Sequence, residues 1–354
     1  MVFLHNYLGL RRRAKRDAAF VWHADCQSAV AAALCQRSPK SAGLDRRSSL
    51  ALKSGARETP RTGMSLRLYD AHNHLQDERF GGRRGDLLAT CADAGVTGMV
   101  VNGACEADWP QVLALAKQFP LARPSATFPP SDGEKDGVRG SRPGILPSFG
   151  YHPWYLHERT DDWLANLANL LDQVPSAVGE IGLDRWKPDL PYEGQEEVFI
   201  AQLRLAAERN LPVSIHCLQA WGRMLQILQS EPRPACGFLL HSYGGPQEMV
   251  KSFADLGAYF SLPGYCAHER KGRQRETFRQ VPPDRLLIET DAPDQSLPDA
   301  RNRFPLTDSA TGKSLNHPAN LRAVYEFAAE LVGEPLETLA ARVEENFLRL
   351  FGGI

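Results

Sequence analysis

The sequence predicts an α/β protein of the (β/α)8 TIM-barrel class. From residue 66 onward, short β-rich runs alternate with helical patterns, and eight such units fit into the last 291 of 354 residues. The composition, 43% hydrophobic and 23% charged, is that of a globular protein with a large core. Alternating units of this kind form parallel sheets. An open doubly wound sheet is the alternative, but no G-x-G-x-x-G fingerprint follows the first strand.

The predicted elements follow one another in a regular order. The first strand is expected at 66–70, directly after Met64, and the others at 97–102, 145–150, 176–181, 212–216, 236–241, 257–261 and 285–290. Between the fourth and fifth strands, residues 193–210 place Val198, Leu203 and Ala206 on one face of a helix.

Two long connections interrupt the alternation. Residues 120–147 contain six prolines and four glycines and are expected to form a surface insertion away from the chemistry. Residues 292–316 follow the last strand, so they are expected to be a lid or substrate loop. Basic residues at 268–275, with Arg301, Arg303 and Lys313, could form a local phosphate cradle on that face.

Charge divides the chain into two parts. Residues 1–63 carry a net charge of +8 and residues 64–354 carry −9. The first part is rich in Arg, Ser and Ala and is expected to be a disordered extension or an over-long start, with organelle targeting as the alternative. The second part is expected to be the folded barrel, and it lacks the broad positive field of a DNA-coating protein.

Cysteine usage and hydropathy indicate a cytoplasmic protein. The seven cysteines form no C-x-x-C pair, and their odd number favours reduced thiols. No apolar run reaches the roughly 18 residues that a membrane span needs. We therefore expect neither membrane association nor an obligate protein partner.

Ligand-type residues fall at the carboxyl ends of the predicted strands, the face on which barrel active sites lie. They are His72, His74, Glu180, His216, His241 and Asp291. His72 and His74 stand two positions apart in extended chain, so both can point into the barrel mouth and chelate one ion. Imidazole and carboxylate suit Mn²⁺, Zn²⁺, Fe or Co. Six ligands exceed the needs of one ion, which suggests two ions with a bridging group.

The sequence resembles a known family, the TatD metal-dependent deoxyribonucleases of the amidohydrolase superfamily. The resemblance covers residues 66–353. It rests on the motifs DAHNHL (70–75), GYHP (150–153), GEIGLD (179–184), PVSIH (212–216), HSYGG (241–245), ETDAP (289–293) and ENFLRLF (345–351). It implies a barrel with a two-metal site, loaded with Mg²⁺ or Mn²⁺, that hydrolyses DNA. We expect a 3′–5′ exonuclease acting on single-stranded ends.

The resemblance also implies residue roles. His72, His74 and Asp291 would hold the first ion, His216 and His241 the second, and Glu180 would bridge them. His152 would contact the scissile phosphate. We expect Asp291 to orient the attacking water and take its proton. Tyr151, one of several aromatic residues that follow strand ends, is a candidate for stacking on a base, although such residues also pack loops against barrels.

Departures from the family pattern leave the substrate open. This chain has HSYGG at 241–245 where the family often has His-Cys-Phe-(Ser/Thr)-Gly, and Leu315 to Pro318 lack the acid of a late family motif. One alternative is a metal-dependent hydrolase of another ester or amide, such as an aminoacyl-tRNA deacylase or a lactonase. Another is a non-catalytic protein that binds metal or nucleic acid, which metal content would distinguish.

If residues 1–63 lie outside the folded unit, their deletion leaves folding intact. We expect the 64–354 fragment to melt within a few degrees of the full chain in differential scanning calorimetry. A large loss of melting temperature would show that the first segment belongs to the barrel.

Overall fold

A computed structural model describes residues 66–121, 142–187 and 189–354. The segment predicted as an extension, 1–63, and most of the predicted insertion at 120–147 lie outside these residues. Among the helices of the described residues, none is both long and apolar enough to cross a bilayer.

Eight strands form one sheet whose neighbours are parallel and follow chain order, which confirms the (β/α)8 barrel. They are β1 (Leu68–Asn73), β2 (Val96–Asn102), β3 (Gly144–Phe149), β4 (Ala177–Asp184), β5 (Val213–Leu218), β6 (Phe238–Leu240), β7 (Ala258–Pro263) and β8 (Leu286–Glu289). Nearly every strand residue is buried, as expected when helices cover the outer face of a parallel sheet.

Helices follow the strands and pack around the barrel. They are α1 (Arg84–Asp93), α2 (Trp109–Gln118), α3 (Trp163–Leu171), α4 (Gln195–Arg209), α5 (Trp221–Ser230), α6 (Val250–Asp255), α7 (Gly272–Phe278), α8 (Leu321–Val332) and α9 (Leu336–Phe351). Helix α4 matches the predicted helix at 193–210. It ends because Asn210 adopts a left-handed conformation, φ 51°, and its amide returns to the carbonyl oxygens of Ala206 and Ala207.

The observed strands overlap all eight predicted ones, with two informative differences. Strand β1 extends to Asn73. The polar residues Asp70 and His72 interrupt the hydrophobic pattern there, so the pattern does not predict the last residues of the strand. The connection after β8 holds a small hairpin, β9 (Leu306–Thr307) paired with β10 (Ser314–Leu315), that the sequence did not predict.

The barrel has a seam between β1 and β8. In the part of the chain that the structure describes, seven parallel ladders join the strands in order, and none joins β8 to β1. Two backbone bonds cross the seam at its carboxyl end, from Asp291 N to His72 O (3.0 Å) and from His74 N to Ala292 O (2.8 Å). The Asp70 carboxylate adds bonds from the amide and hydroxyl of Thr290, at 2.9 and 2.5 Å.

The last two helices support this seam from outside. The Tyr325 hydroxyl of α8 accepts the Tyr69 amide and donates to the Tyr69 carbonyl, at 3.0 and 2.9 Å. The Asn346 amide of α9 donates to the carbonyl oxygens of Pro283 and Leu286, both at 2.9 Å. Side chains thus pair backbone groups of both seam strands, as buried polar groups require. These hydrogen bonds explain why an asparagine stands at position 346 in the closing ENFLRLF motif.

Close approach of β4 and β5 requires a glycine at position 182. Gly182 has φ 153°, and a Cβ added there would lie 1.8 Å from the carbonyl oxygen of His216. Because the oxygen belongs to the backbone of β5 and the position of a Cβ is fixed by the backbone of β4, only a displacement of a strand could relieve this clash.

Gly182→Ala is therefore expected to destabilise the barrel by about 3 kcal/mol or more, measured by denaturant unfolding. Gly222→Ala is the matched control, since a Cβ at Gly222 in α5 meets nothing within 4 Å. We expect this variant to be neutral or more stable by up to about 1 kcal/mol. Equal behaviour of the two variants would contradict the steric argument.

Candidate active site

The structure brings all six predicted ligand residues together at the carboxyl ends of the strands. His72, Glu180 and His216 lie within β1, β4 and β5, whereas His74, His241 and Asp291 lie one or two residues beyond their strands. Five of the six are buried, and the His74 side chain keeps 18% of its surface exposed. The six side chains therefore converge at the carboxyl end of the barrel, as the barrel geometry predicts.

Glu180 stands at the centre of this cluster. Its Oε1 lies 2.8 Å from His241 Nε2, 3.0 Å from His216 Nδ1 and 3.4 Å from His152 Nε2. Its Oε2 lies 3.3 Å from His74 Nε2 and 3.5 Å from His72 Nε2. The two oxygens of one buried carboxylate therefore face two different groups of imidazoles.

Asp291 completes the group around Oε2. Its Oδ1 lies 3.6 Å from His74 Nε2 and 3.8 Å from His72 Nε2. Its Oδ2 accepts a hydrogen bond from Gln295 Nε2 at 2.5 Å. Burial raises the pKa of Asp291 to about 7, against the opposing effect of the positive His241 and His74 rings.

Partners behind the imidazoles fix which nitrogen points inward. His74 Nδ1 donates to the Asn102 carbonyl oxygen at 2.8 Å, and His216 Nε2 donates to Asp184 Oδ2 at 3.0 Å. Because the other nitrogen of a neutral ring carries a lone pair, these contacts turn His74 Nε2 and His216 Nδ1 into ligand atoms. His72 Nδ1 is similarly held by Ser214 Oγ at 2.8 Å.

Sequence reasoning missed these outer partners. Asp184 and Glu289 stand inside the motifs that identify the family, yet no role was predicted for either. Glu289 accepts hydrogen bonds from Ser242 and Ser261, and its Oε1 lies 3.8 Å from His241 Nδ1. A histidine that binds metal through one ring nitrogen generally donates the proton of its other nitrogen to an acceptor. This rule could have pointed to Asp184 and Glu289 from the sequence.

The donor set fits divalent metal ions. Three groups have ligand atoms within 4.8 Å of one another: His72, His74 and Asp291; His152, Glu180 and His216; and His72, His241 and Glu289. Ring nitrogens approach each other at 3.3 Å in two places, between His72 and His74 and between His216 and His241. Nitrogens that converge on a carboxylate in this way need a cation or a proton between them.

Charge in the cluster supports the same fit. Burial disfavours a positive His74 ring, but the hydrogen bond and charge of Glu180 outweigh it and raise the pKa of His74 to about 9. The pKa of Glu180 itself lies well below its ordinary value: burial would raise it, and the surrounding imidazoles, His152 and His241 foremost, overcome that effect. The site is thus built to hold positive charge.

His152 differs from the other histidines. Its Nδ1 accepts the amide of Trp154 at 3.2 Å, so in the neutral ring the proton sits on Nε2, the atom that faces Glu180. Burial lowers the pKa of His152 to about 4, which keeps the ring neutral. His152 therefore presents a hydrogen-bond donor rather than a lone pair, and this suits contact with a phosphate oxygen.

Tyr151 is not brought into the cluster. Its ring is buried beside Trp109 and Trp163, and its hydroxyl donates to Glu106 at 2.8 Å. Glu106 also accepts from the hydroxyl of Thr160, so the hydroxyl of Tyr151 is committed to a network within the fold. The structure therefore does not bring Tyr151 together with the six ligand-type residues, and the substrate contact stays a prediction.

Three of the basic residues expected to cradle phosphate make contacts within the fold. Arg301 pairs with Glu330 and Arg303 with Glu326, both on α8. Arg275 donates to the carbonyl oxygens of Cys266 and His268. These contacts tie the loops after β7 and β8 to the scaffold.

Comparison with known proteins places these observations in a family. The family model for TatD related DNase matches residues 136–352. The 3′-5′ ssDNA/RNA exonuclease TatD of Shigella flexneri serotype 5b (strain 8401) is 32% identical over 286 residues, covering 80% of this chain and 99% of that protein. The protein of the same name from Escherichia coli K12 is 31% identical with the same coverage.

Solved structures agree on the fold. The crystal structure of YJJV, a TatD homolog from Escherichia coli K12, has a TM-score of 0.67 and 27% sequence identity, and the match covers 81% of this chain and 99% of that one. A TatD family hydrolase from Entamoeba histolytica has a TM-score of 0.66 at 18% identity, over 82% of this chain and 99% of its own, and shows the fold alone. The chain belongs to the TatD related DNase family of metal-dependent hydrolases.

Proposed function

We propose that this protein hydrolyses phosphodiester bonds in nucleic acid and removes nucleotides from the 3′ end of single-stranded DNA. The proposal draws on the exonuclease names of its relatives and on the geometry of its own cluster. Two divalent ions, Mg²⁺ or Mn²⁺, would be its cofactors. The five described cysteines are free thiols, which agrees with the cytoplasmic location that the sequence predicts.

The observation that carries this proposal is the position of Glu180 between two groups of donors. His72, His74 and Asp291 gather beside Oε2, and His216 and His241 gather beside Oε1. A carboxylate with one oxygen toward each group is the arrangement expected of a ligand that bridges two ions. We therefore assign His72, His74 and Asp291 to the first ion, His216 and His241 to the second, and Glu180 to both.

When bound, the two ions would lower the pKa of a water molecule and neutralise the charge that builds on the phosphoryl oxygens. The protein residues supply the rest. Asp291 Oδ1 faces His72 and His74, and Gln295 Nε2 donates to Oδ2, so this carboxylate would stand at the edge of the first ion position, where it can orient water and accept its proton.

His152 would hold the substrate. Its protonated Nε2 can donate to a non-bridging phosphate oxygen, and its orientation is fixed because Nδ1 accepts the Trp154 amide. The Trp154 indole donates to Asp184 Oδ2 at 2.6 Å, which links the residue behind His152 to the acid behind His216. Positioning of the phosphate and of the second group of donors is thereby coupled.

Asp291→Asn tests the assignment of the base. The amide keeps the shape of the side chain but cannot take a proton, so we expect turnover to fall by about 100-fold or more. The measurement uses 5′-labelled single-stranded DNA with Mg²⁺, Mn²⁺ or EDTA, resolved on a sequencing gel.

The expected wild-type pattern is a metal-dependent ladder that shortens from the 3′ end. Asp172→Asn, which changes an exposed aspartate paired with Arg209, is the matched control and should retain activity. Near-normal cleavage by Asp291→Asn would refute the role of the base. Absence of cleavage by metal-loaded wild type would refute DNA as substrate and turn the search to other esters and amides.

Asp184→Asn tests the partner behind His216. Loss of the carboxylate acceptor removes the contact that selects Nδ1 as the ligand atom, and we expect the affinity for Mn²⁺ to fall about 10- to 100-fold. Titration calorimetry of metal-stripped protein measures this, with Asp172→Asn again as control. Unchanged affinity would mean that Asp184 does not orient the ligand.

A further inference from the structure

We propose that Arg79 is a positioning residue that clamps the two ligand-bearing turns of the first ion across the barrel seam. This inference rests on the proposed function, because it assumes that His74 and Asp291 hold the same ion. It concerns residues that lie outside the cluster and have no predicted role. Its consequence is specific: loss of Arg79 weakens one ion position and spares the other.

Arg79 binds two carboxylates at once. Its Nη1 and Nη2 donate to Asp294 Oδ1 and Oδ2 at 2.9 and 2.7 Å. Its Nε and Nη2 donate to Asp77 Oδ1 and Oδ2 at 3.0 and 2.8 Å. Both pairs are bidentate and partly buried, which is the geometry in which a guanidinium fixes position most firmly.

Each carboxylate belongs to a turn that begins at a ligand. The Asp77 amide donates to the carbonyl oxygen of His74 at 2.9 Å, and the Asp294 amide donates to that of Asp291 at 2.8 Å. Each acid that Arg79 binds therefore stands three positions after a ligand, with two residues between them. A single guanidinium thus joins the turn after His74 to the turn after Asp291.

The seam explains why such a clamp is needed there. His74 and Asp291 lie beyond the ends of β1 and β8, and no ladder joins these two strands within the described residues. Besides Arg79, two backbone bonds and the hydrogen bonds of the Asp70 carboxylate cross the seam close to the ligands in the part of the chain that the structure describes. The 3.6 Å separation of His74 Nε2 and Asp291 Oδ1 thus depends on side-chain contacts such as those of Arg79.

The second ion position has different support. Glu180, His216 and His241 are carried by β4, β5 and β6, which parallel ladders join to one another, with one irregularity between Val178 and Ile181. In those ladders Gly182 pairs with His216 and Ile215 with Leu240, directly beside the ligands. Hydrogen bonds between strands therefore set the spacing of these ligands, and a clamp outside the strands adds little to it.

The test compares metal binding by the full chain and by Arg79→Gln. Metal-stripped protein is titrated with Mn²⁺ in a calorimeter, and bound metal is counted after gel filtration. For wild type we expect two binding classes. For Arg79→Gln we expect one class to weaken about tenfold or more and the other to stay within about twofold. Arg79→Lys should lie between them, because an ammonium cannot bind both carboxylates bidentately.

Arg342→Gln is the matched control. Arg342 is a partly buried arginine that pairs with Glu334 in the connection between α8 and α9, away from the ligand turns. We expect this variant to lose some melting temperature and to keep both binding classes. If Arg79→Gln does not fold, Asp294→Asn breaks one half of the clamp while keeping the amide that binds Asp291, and the same selective loss is expected.

Two results would overturn the proposal: two unweakened classes in Arg79→Gln, or equal weakening of both classes together with a lower melting temperature of the metal-free protein. The second result would show general stabilisation instead of positioning. Failure of the proposed function is a separate outcome. It would appear in wild type, as fewer than two bound ions or as metal-loaded protein that does not cleave DNA.

Discussion

A single buried carboxylate, Glu180, imposes the main constraint on this protein. Five imidazoles lie within 3.5 Å of its two oxygens. Two of them come from the end of β1 and the turn beyond it, and the other three each come from the end of a different strand or the turn beyond it. A buried negative charge is tolerated only when such partners surround it. To gather them, β1, β3, β4, β5 and β6 must all end at one level, which the parallel barrel achieves.

The partners of Glu180 are in turn oriented by groups that lie on the far side of each ring from the carboxylate. A backbone carbonyl, a serine hydroxyl and the Asp184 carboxylate each occupy the outer nitrogen of one ring. The backbone amide of Trp154 occupies the outer nitrogen of His152 in the opposite sense, as a donor. Four histidine side chains thus present different atoms to the cluster. The contact on the outer nitrogen decides whether the inner nitrogen carries a lone pair or a proton.

Much of this arrangement is visible in the sequence. The positions of the eight strands follow from hydrophobic patterning, and the six ligand-type residues follow from asking what stands at the strand ends. The rest depends on contacts that leave no local pattern. The Asn102 carbonyl acts through its backbone, so its residue type carries no signal, and Arg79 meets Asp294 across 215 positions of sequence. Tyr151 follows a strand end like His152, yet only the structure shows its hydroxyl bound to Glu106.

The seam also determines when the site comes into being. Asp70 and Thr290, which meet there, stand 220 positions apart in the sequence, and the proposed first ion position would take its ligands from the first strand and from the turn after the last one. Contacts between such distant segments form late in folding, since the loop that joins them must close first. During synthesis, β8 leaves the ribosome after every other strand of the barrel. A nascent chain therefore holds the second group of donors before it can assemble the first, and the complete cluster exists only once the whole barrel has been made.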